Sequence, residues 1–115
     1  MRIEDAVRLR HMLDGSREAI EFLGSTSRDA LADDRMRAYA VVRAIEVVGE
    51  AASKVAAETR AAHPGVPRSV ITAMRNRLIH GYFDIDYQRV WDTTRADLPV
   101  LIEELERILA SDPPA

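Results

Sequence analysis

The chain has no cysteine, so neither a disulfide framework nor a thiol nucleophile is open to it. No apolar run approaches the roughly 20 residues needed to span a bilayer. Nothing resembles a secretory leader, because charge begins at Arg2. These absences predict a cytoplasmic protein without a membrane partner. Lysine is nearly missing: Lys54 is the only one among 16 basic residues. Guanidinium suits phosphate recognition, but GC-rich codon usage gives the same bias. The most informative absence is local. From Thr59 to Phe83 there is no Asp or Glu, while Arg60, Arg68, Arg75 and Arg77 give +4. The chain as a whole carries -3, so the other residues carry -7 (-3 less +4). A basic segment on an acidic body is a footprint for a polyanion. Pairing of the same arginines with acids elsewhere in the fold would also account for it.

At 115 residues the chain reads as one domain, residues 1–110, with a frayed tail at 111–115. A core of this size has little to spare, so oligomerisation would help it. The apolar pattern is helical throughout, with no strand, repeat or second domain. Ile3 to Leu23 carries apolar side chains at Leu9, Leu13, Ile20 and Leu23, mostly at helical spacing, and Gly24 with Ser25 stops it. Ser27 can cap a short turn of helix. Asp33 or Asp34 then caps a long helix to about Arg60. Its broad apolar arc takes in Met36, Tyr39, Val41, Val42, Ile45, Val48, Ala52 and Val55, which predicts the central helix. Gly49 in its interior calls for close approach of another helix, since glycine costs about 1 kcal/mol there relative to alanine.

Pro64, Gly65 and Pro67 break the chain. A further helix is expected from Pro67 or Arg68 to His80, with Gly81 just past its end. Asp84 or Asp86 caps the next one. Pro99 marks a kink or a fresh first turn, ahead of the stripe Leu101, Ile102, Leu105, Ile108 and Leu109. The expected architecture is all-α, an antiparallel bundle of four to five helices.

The densest chemistry lies in Arg75-Asn76-Arg77-Leu78-Ile79-His80-Gly81-Tyr82. Two guanidiniums can hold a phosphodiester through paired hydrogen bonds. Imidazole can move the proton of an attacking or leaving hydroxyl near neutral pH. The combination suggests phosphodiester chemistry without a metal. On one straight helix Arg75 and His80 would stand about 140° apart, at about 100° per residue, whereas Asn76 and His80 share a face at i and i+4. Two arrangements answer this: the helix ends early and His80 swings round, or a two-fold axis brings a second copy alongside. A helix-terminal His80 would feel the dipole favouring a positive ring, opposed by the neighbouring arginines.

Arg-Asn-x-x-x-His-x-Tyr on a late helix of a small helical chain resembles the HEPN superfamily, and within it the HepT-like toxins. The segment from Val42 to Ala52, with Gly49-Glu50-Ala51-Ala52, agrees, as does Tyr82-Phe83-Asp84-Ile85-Asp86 followed by Val90-Trp91. The resemblance covers nearly the whole chain. It implies a homodimeric, metal-independent endoribonuclease that needs no cofactor. It also implies the toxin role in a type VII-like toxin–antitoxin pair, whose antitoxin, a minimal nucleotidyltransferase, silences it by attaching AMP to the motif tyrosine. On matching positions Arg75 and His80 are the catalytic pair, Asn76 is the supporting polar residue beside the arginine, and Tyr82 takes the AMP.

The remaining residues have plainer readings. Arg77 is a phosphate contact or a solvated side chain. Glu50, or Glu46, is a candidate ion-pair partner of Arg75. Those two carboxylates lack the further ligands a metal would need. His11 reads as a helix-surface residue and His63 as a loop residue. Trp91 reads as core and not as a base-stacking platform. A competing function is a non-catalytic bundle that binds nucleotide or docks a nucleotidyltransferase; another is a purely structural dimerising bundle.

Overall fold

The computed structural model describes residues 1–65, 79–80 and 84–111, with Ile79 and His80 described by backbone alone. Helix α1 runs Ile3–Leu23 with Glu4 and Asp5 in its first turn, where carboxylates suit the positive end of the dipole. It stops as expected at Gly24, whose φ of 56° is a conformation glycine adopts without steric cost. Ser27 caps the short α2, Arg28–Ala32, accepting the Ala30 N–H at 3.2 Å. Asp34, rather than Asp33, caps α3, Arg35–Ser53, accepting the Arg37 N–H at 3.1 Å.

Among the described residues, helices α1 and α3 share the largest interface. Leu9, Met12 and Leu13 of α1 and Val41, Val42, Ile45 and Val48 of α3 belong to one buried cluster. Gly15 permits close approach: a Cβ there would stand 2.9 Å from Val48 Cγ2 and 3.2 Å from the Ala44 carbonyl. The expected arc on α3 is correct from Val41 to Ala52 but not at its start. Met36 is 86% exposed and Tyr39 is exposed too. Met36 lies nine residues before Ile45, about 180° round the helix, so it cannot share the core side. Arg35 covers Tyr39 instead, 5.5 Å from its ring, and donates to its hydroxyl at 2.7 Å.

The long helix ends sooner than its pattern predicts. It stops at Ser53, and a separate α4 spans Ala57–Ala62. The cause lies far away in sequence. The Asp5 carboxylate of α1 accepts the Ala56 N–H at 3.1 Å and the Thr59 hydroxyl at 2.5 Å. It thereby caps a helix whose own cap residue, Ala56, has no side-chain acceptor. Val55, in the break, is buried.

Two residues expected at a helix end are not helical. Ile79–His80 form strand β1, antiparallel to β2, Asp84–Ile85, in the register Ile79↔Ile85 and His80↔Asp84. Ile85 is buried in the core. The chain then enters α5, Tyr87–Asp92, capped by Asp86, which accepts the Arg89 N–H at 3.0 Å. A π-helical turn at residues 93–97 joins it to α6, Leu98–Ser111. The Leu98 N–H reaches back five residues to the Thr93 carbonyl. That wider turn lies where Pro99 withdraws a donor and crowds the preceding turn, so the expected kink is a π bulge in a continuing helix. Leu98, Leu101, Leu105 and Ile108 are buried, with Ile102 and Leu109 partly so. Residues 112–115 of the expected tail lie outside the described residues.

Candidate functional site

Within the basic motif, His80 is held by backbone pairing. Ile79 is matched with Ile85 and His80 with Asp84. Because Ile85 is buried in the core and Asp86 caps α5, β2 ties the histidine backbone to the helical body. By Ile79 the chain is already extended. Helical spacing between Arg75 and His80 therefore does not extend to the histidine, nor does the helix-dipole argument for its ring. Arg75, Asn76, Arg77 and Tyr82 lie outside the described residues.

The register brings forward a residue that the sequence offered only as a helix cap. Asp84 is exposed and is the cross-strand partner of His80. Opposite charges at directly opposed positions of an antiparallel pair attract. The signal in the sequence is the four-residue separation, legible only once a chain reversal is placed between them.

The expected pairing of Glu50 with Arg75 involves a residue outside the described ones. The Glu50 side chain is 55% exposed and lies 4.0 Å from the Lys54 ammonium. Glu46 is half-buried. Among the described residues, no three His, Asp or Glu side chains are grouped so as to hold a metal. His11 is exposed on α1 and His63 follows the end of α4, as their sequence readings predict.

Trp91 is half-buried against the core. Its Nε1–H donates to the Thr26 carbonyl at 2.9 Å. The guanidiniums of Arg28 and Arg95 lie 5.1 and 5.7 Å from the ring centroid, at cation–π distance. Arg28 also meets Asp92 at 3.5 Å, and Arg95 donates to the Gly24 carbonyl. The indole is thus engaged by its own chain, in keeping with a packing role.

Among the described residues no helix is long and apolar enough to cross a membrane.

Comparison with known proteins places these features in a group. The family described as "Ribonuclease HepT-like" matches residues 12–108. A Methanocaldococcus jannaschii protein named "Putative RNase MJ1216" is 34% identical over 101 residues, covering 88% of this chain and 84% of its own. "Probable ribonuclease HepT" of Thermococcus cleftensis is 32% identical over 100 residues, covering 84% and 91%. "Putative RNase TTE0752" of Caldanaerobacter subterraneus subsp. tengcongensis is 33% identical over 104 residues, covering 90% and 93%. No solved structure matches the chain significantly.

Proposed function

Because this chain belongs to the HepT-like ribonuclease family, we propose that it is a metal-independent endoribonuclease and the toxin of a toxin–antitoxin pair. The observation that carries the reading is the family match across residues 12–108, which takes in Arg75, Asn76, His80 and Tyr82. The backbone pairing of His80 with Asp84 supports it by giving the histidine a fixed base.

The chemistry follows from the residue types. His80 takes the proton of a ribose 2′-hydroxyl, or gives one to the departing 5′-oxygen. The 2′-oxygen bonds to phosphorus and the P–O5′ bond breaks. Arg75 stabilises the charge that gathers on the phosphorane oxygens. Asn76 is the supporting polar group beside the arginine, and Arg77 adds a phosphate contact. The products are a 2′,3′-cyclic phosphate and a 5′-hydroxyl. A symmetric homodimer supplies two histidines, one for each proton transfer. A nucleotidyltransferase antitoxin attaches AMP to Tyr82, putting negative charge and bulk where substrate phosphate sits.

The deciding experiment compares cleavage of single-stranded RNA by the parent chain and His80→Ala in the presence of chelator. The expected result is cleavage with cyclic-phosphate ends by the parent only, both proteins having the same helical circular dichroism. Equal activity in the two would remove the catalytic reading and leave a nucleotide-binding or docking bundle.

A further inference from the structure

Helices α1 and α3 border a groove with a volume of about 200 Å³. Among the described residues Arg8, His11, Arg43 and Lys54 line it, with Glu50 as the one acid and Val47 among the apolar residues. Counting His11 as neutral, the formal charge is +2 (three cations less one carboxylate), on a chain of net -3. Glu50 is already opposed by Lys54 at 4.0 Å. Among the described residues no ion pair engages Arg43, while the charge of Arg8 also acts on the Asp5 carboxylate. Arg8 Nε is buried with no hydrogen-bond partner, a condition that needs an explanation. Arg43 is exposed.

We propose that this α1–α3 groove is an RNA-backbone site, holding phosphates of a single strand along α3 while ribose or base edges rest on Val47. The choice of RNA over other polyanions rests on the ribonuclease reading. The spacing argues for a chain of phosphates over one free anion. Arg43 and Lys54 are eleven residues apart on and at the end of α3, roughly 16 Å at about 1.5 Å per residue. A lone phosphate cannot span that row. Between them along the helix lie Val47 and Ala51, with the Glu50 carboxylate already opposed by Lys54; cations held apart with apolar surface beside them suit a repeating anion. An acidic protein segment is the competing occupant.

The test is fluorescence anisotropy of a labelled 20-nucleotide single-stranded RNA, titrated with the His80→Ala chain in chelator across a salt series. The comparison is the same chain carrying Arg43→Gln and Lys54→Gln. The expected result is weaker binding and a slope of log affinity against log salt shallower by about 1.4, at about 0.7 for each phosphate no longer neutralised. If the double variant melts early, single Arg43→Gln and Arg43→Lys chains replace it, the lysine retaining most of the binding that glutamine loses. An unchanged affinity and salt slope would overturn the proposal. So would groove-dependent binding of a labelled polyglutamate peptide with groove-independent binding of RNA. Failure of the ribonuclease reading is separately visible: a parent chain that cuts nothing but binds RNA through Arg43 and Lys54 loses the activity and keeps the groove.

Discussion

His80 and Asp84 are cross-strand partners, a relation that turns two positions of a linear motif into a candidate pair. An opposite-charge pair at such positions is worth roughly 0.2–1 kcal/mol. If it holds in the transition state, Asp84→Asn should slow RNA cleavage by up to about five-fold, with Asp84→Glu recovering part of the rate. An Asn variant that cleaves at the parent rate would reduce Asp84 to a strand residue. Tyr82 carries the opposite expectation. A phenol is not needed as base beside an imidazole, so Tyr82→Phe should keep most ribonuclease activity. It should also escape AMP transfer when incubated with ATP and the cognate nucleotidyltransferase. Intact mass reads the outcome, and AMP addition at the parent level would mean that another residue is modified. The motif residues were legible because their chemistry is local. The Asp84 partnership was not, because register depends on a reversal that periodicity does not show.

At the level of elements, the two ends of α3 show what a pattern can and cannot settle. Its start was legible from Asp34 and its cap. Its end was not, since the sequence from Ala51 to Ala57 contains neither glycine nor proline. The helix is interrupted there by a carboxylate reaching in from α1. Burial acts to raise the Asp5 pKa, but hydrogen bonds from Thr59 and the Ala56 N–H, with the charges of Arg2 and Arg8, outweigh it and hold the carboxyl below its ordinary value. A group depressed in this way stabilises the fold fully above its unfolded pKa of about 4. That contribution is lost as pH falls through the lower folded value. Asp5→Asn should therefore cost about 1.5–3 kcal/mol at pH 7, the range for hydrogen bonds to a charged group. The gap from the parent should narrow as pH drops below about 4. Urea unfolding at pH 7 and pH 3 checks this, and a gap that does not change with pH would show that Asp5 acts by packing alone. Gly15 is the counterpart in packing. Close helix approach was expected of Gly49, which is buried; among the described residues the interatomic distances show it at Gly15, where nothing in the α1 pattern marked it.

For the whole molecule, the all-α class and the order of the helices followed from apolar spacing and caps, because one buried cluster organises α1, α3, α5 and α6. The small ladder escaped because two residues per strand carry too little alternation to register. The extended backbone at His80 also removes one ground for a dimer, since the helical offset from Arg75 no longer has to be bridged. The small core remains as the other ground. Light scattering at micromolar concentration should report a dimer, and a monomer that still cleaves RNA would end that part of the proposal. The joint at residues 24–28 has a further use. The chain has one tryptophan, and Trp91 is fixed there by Thr26 and flanked by Arg28 and Arg95. Its emission is therefore a single-site optical gauge of whether α5 is seated against the end of α1. It can be followed without a label, and in any variant that leaves the indole in place.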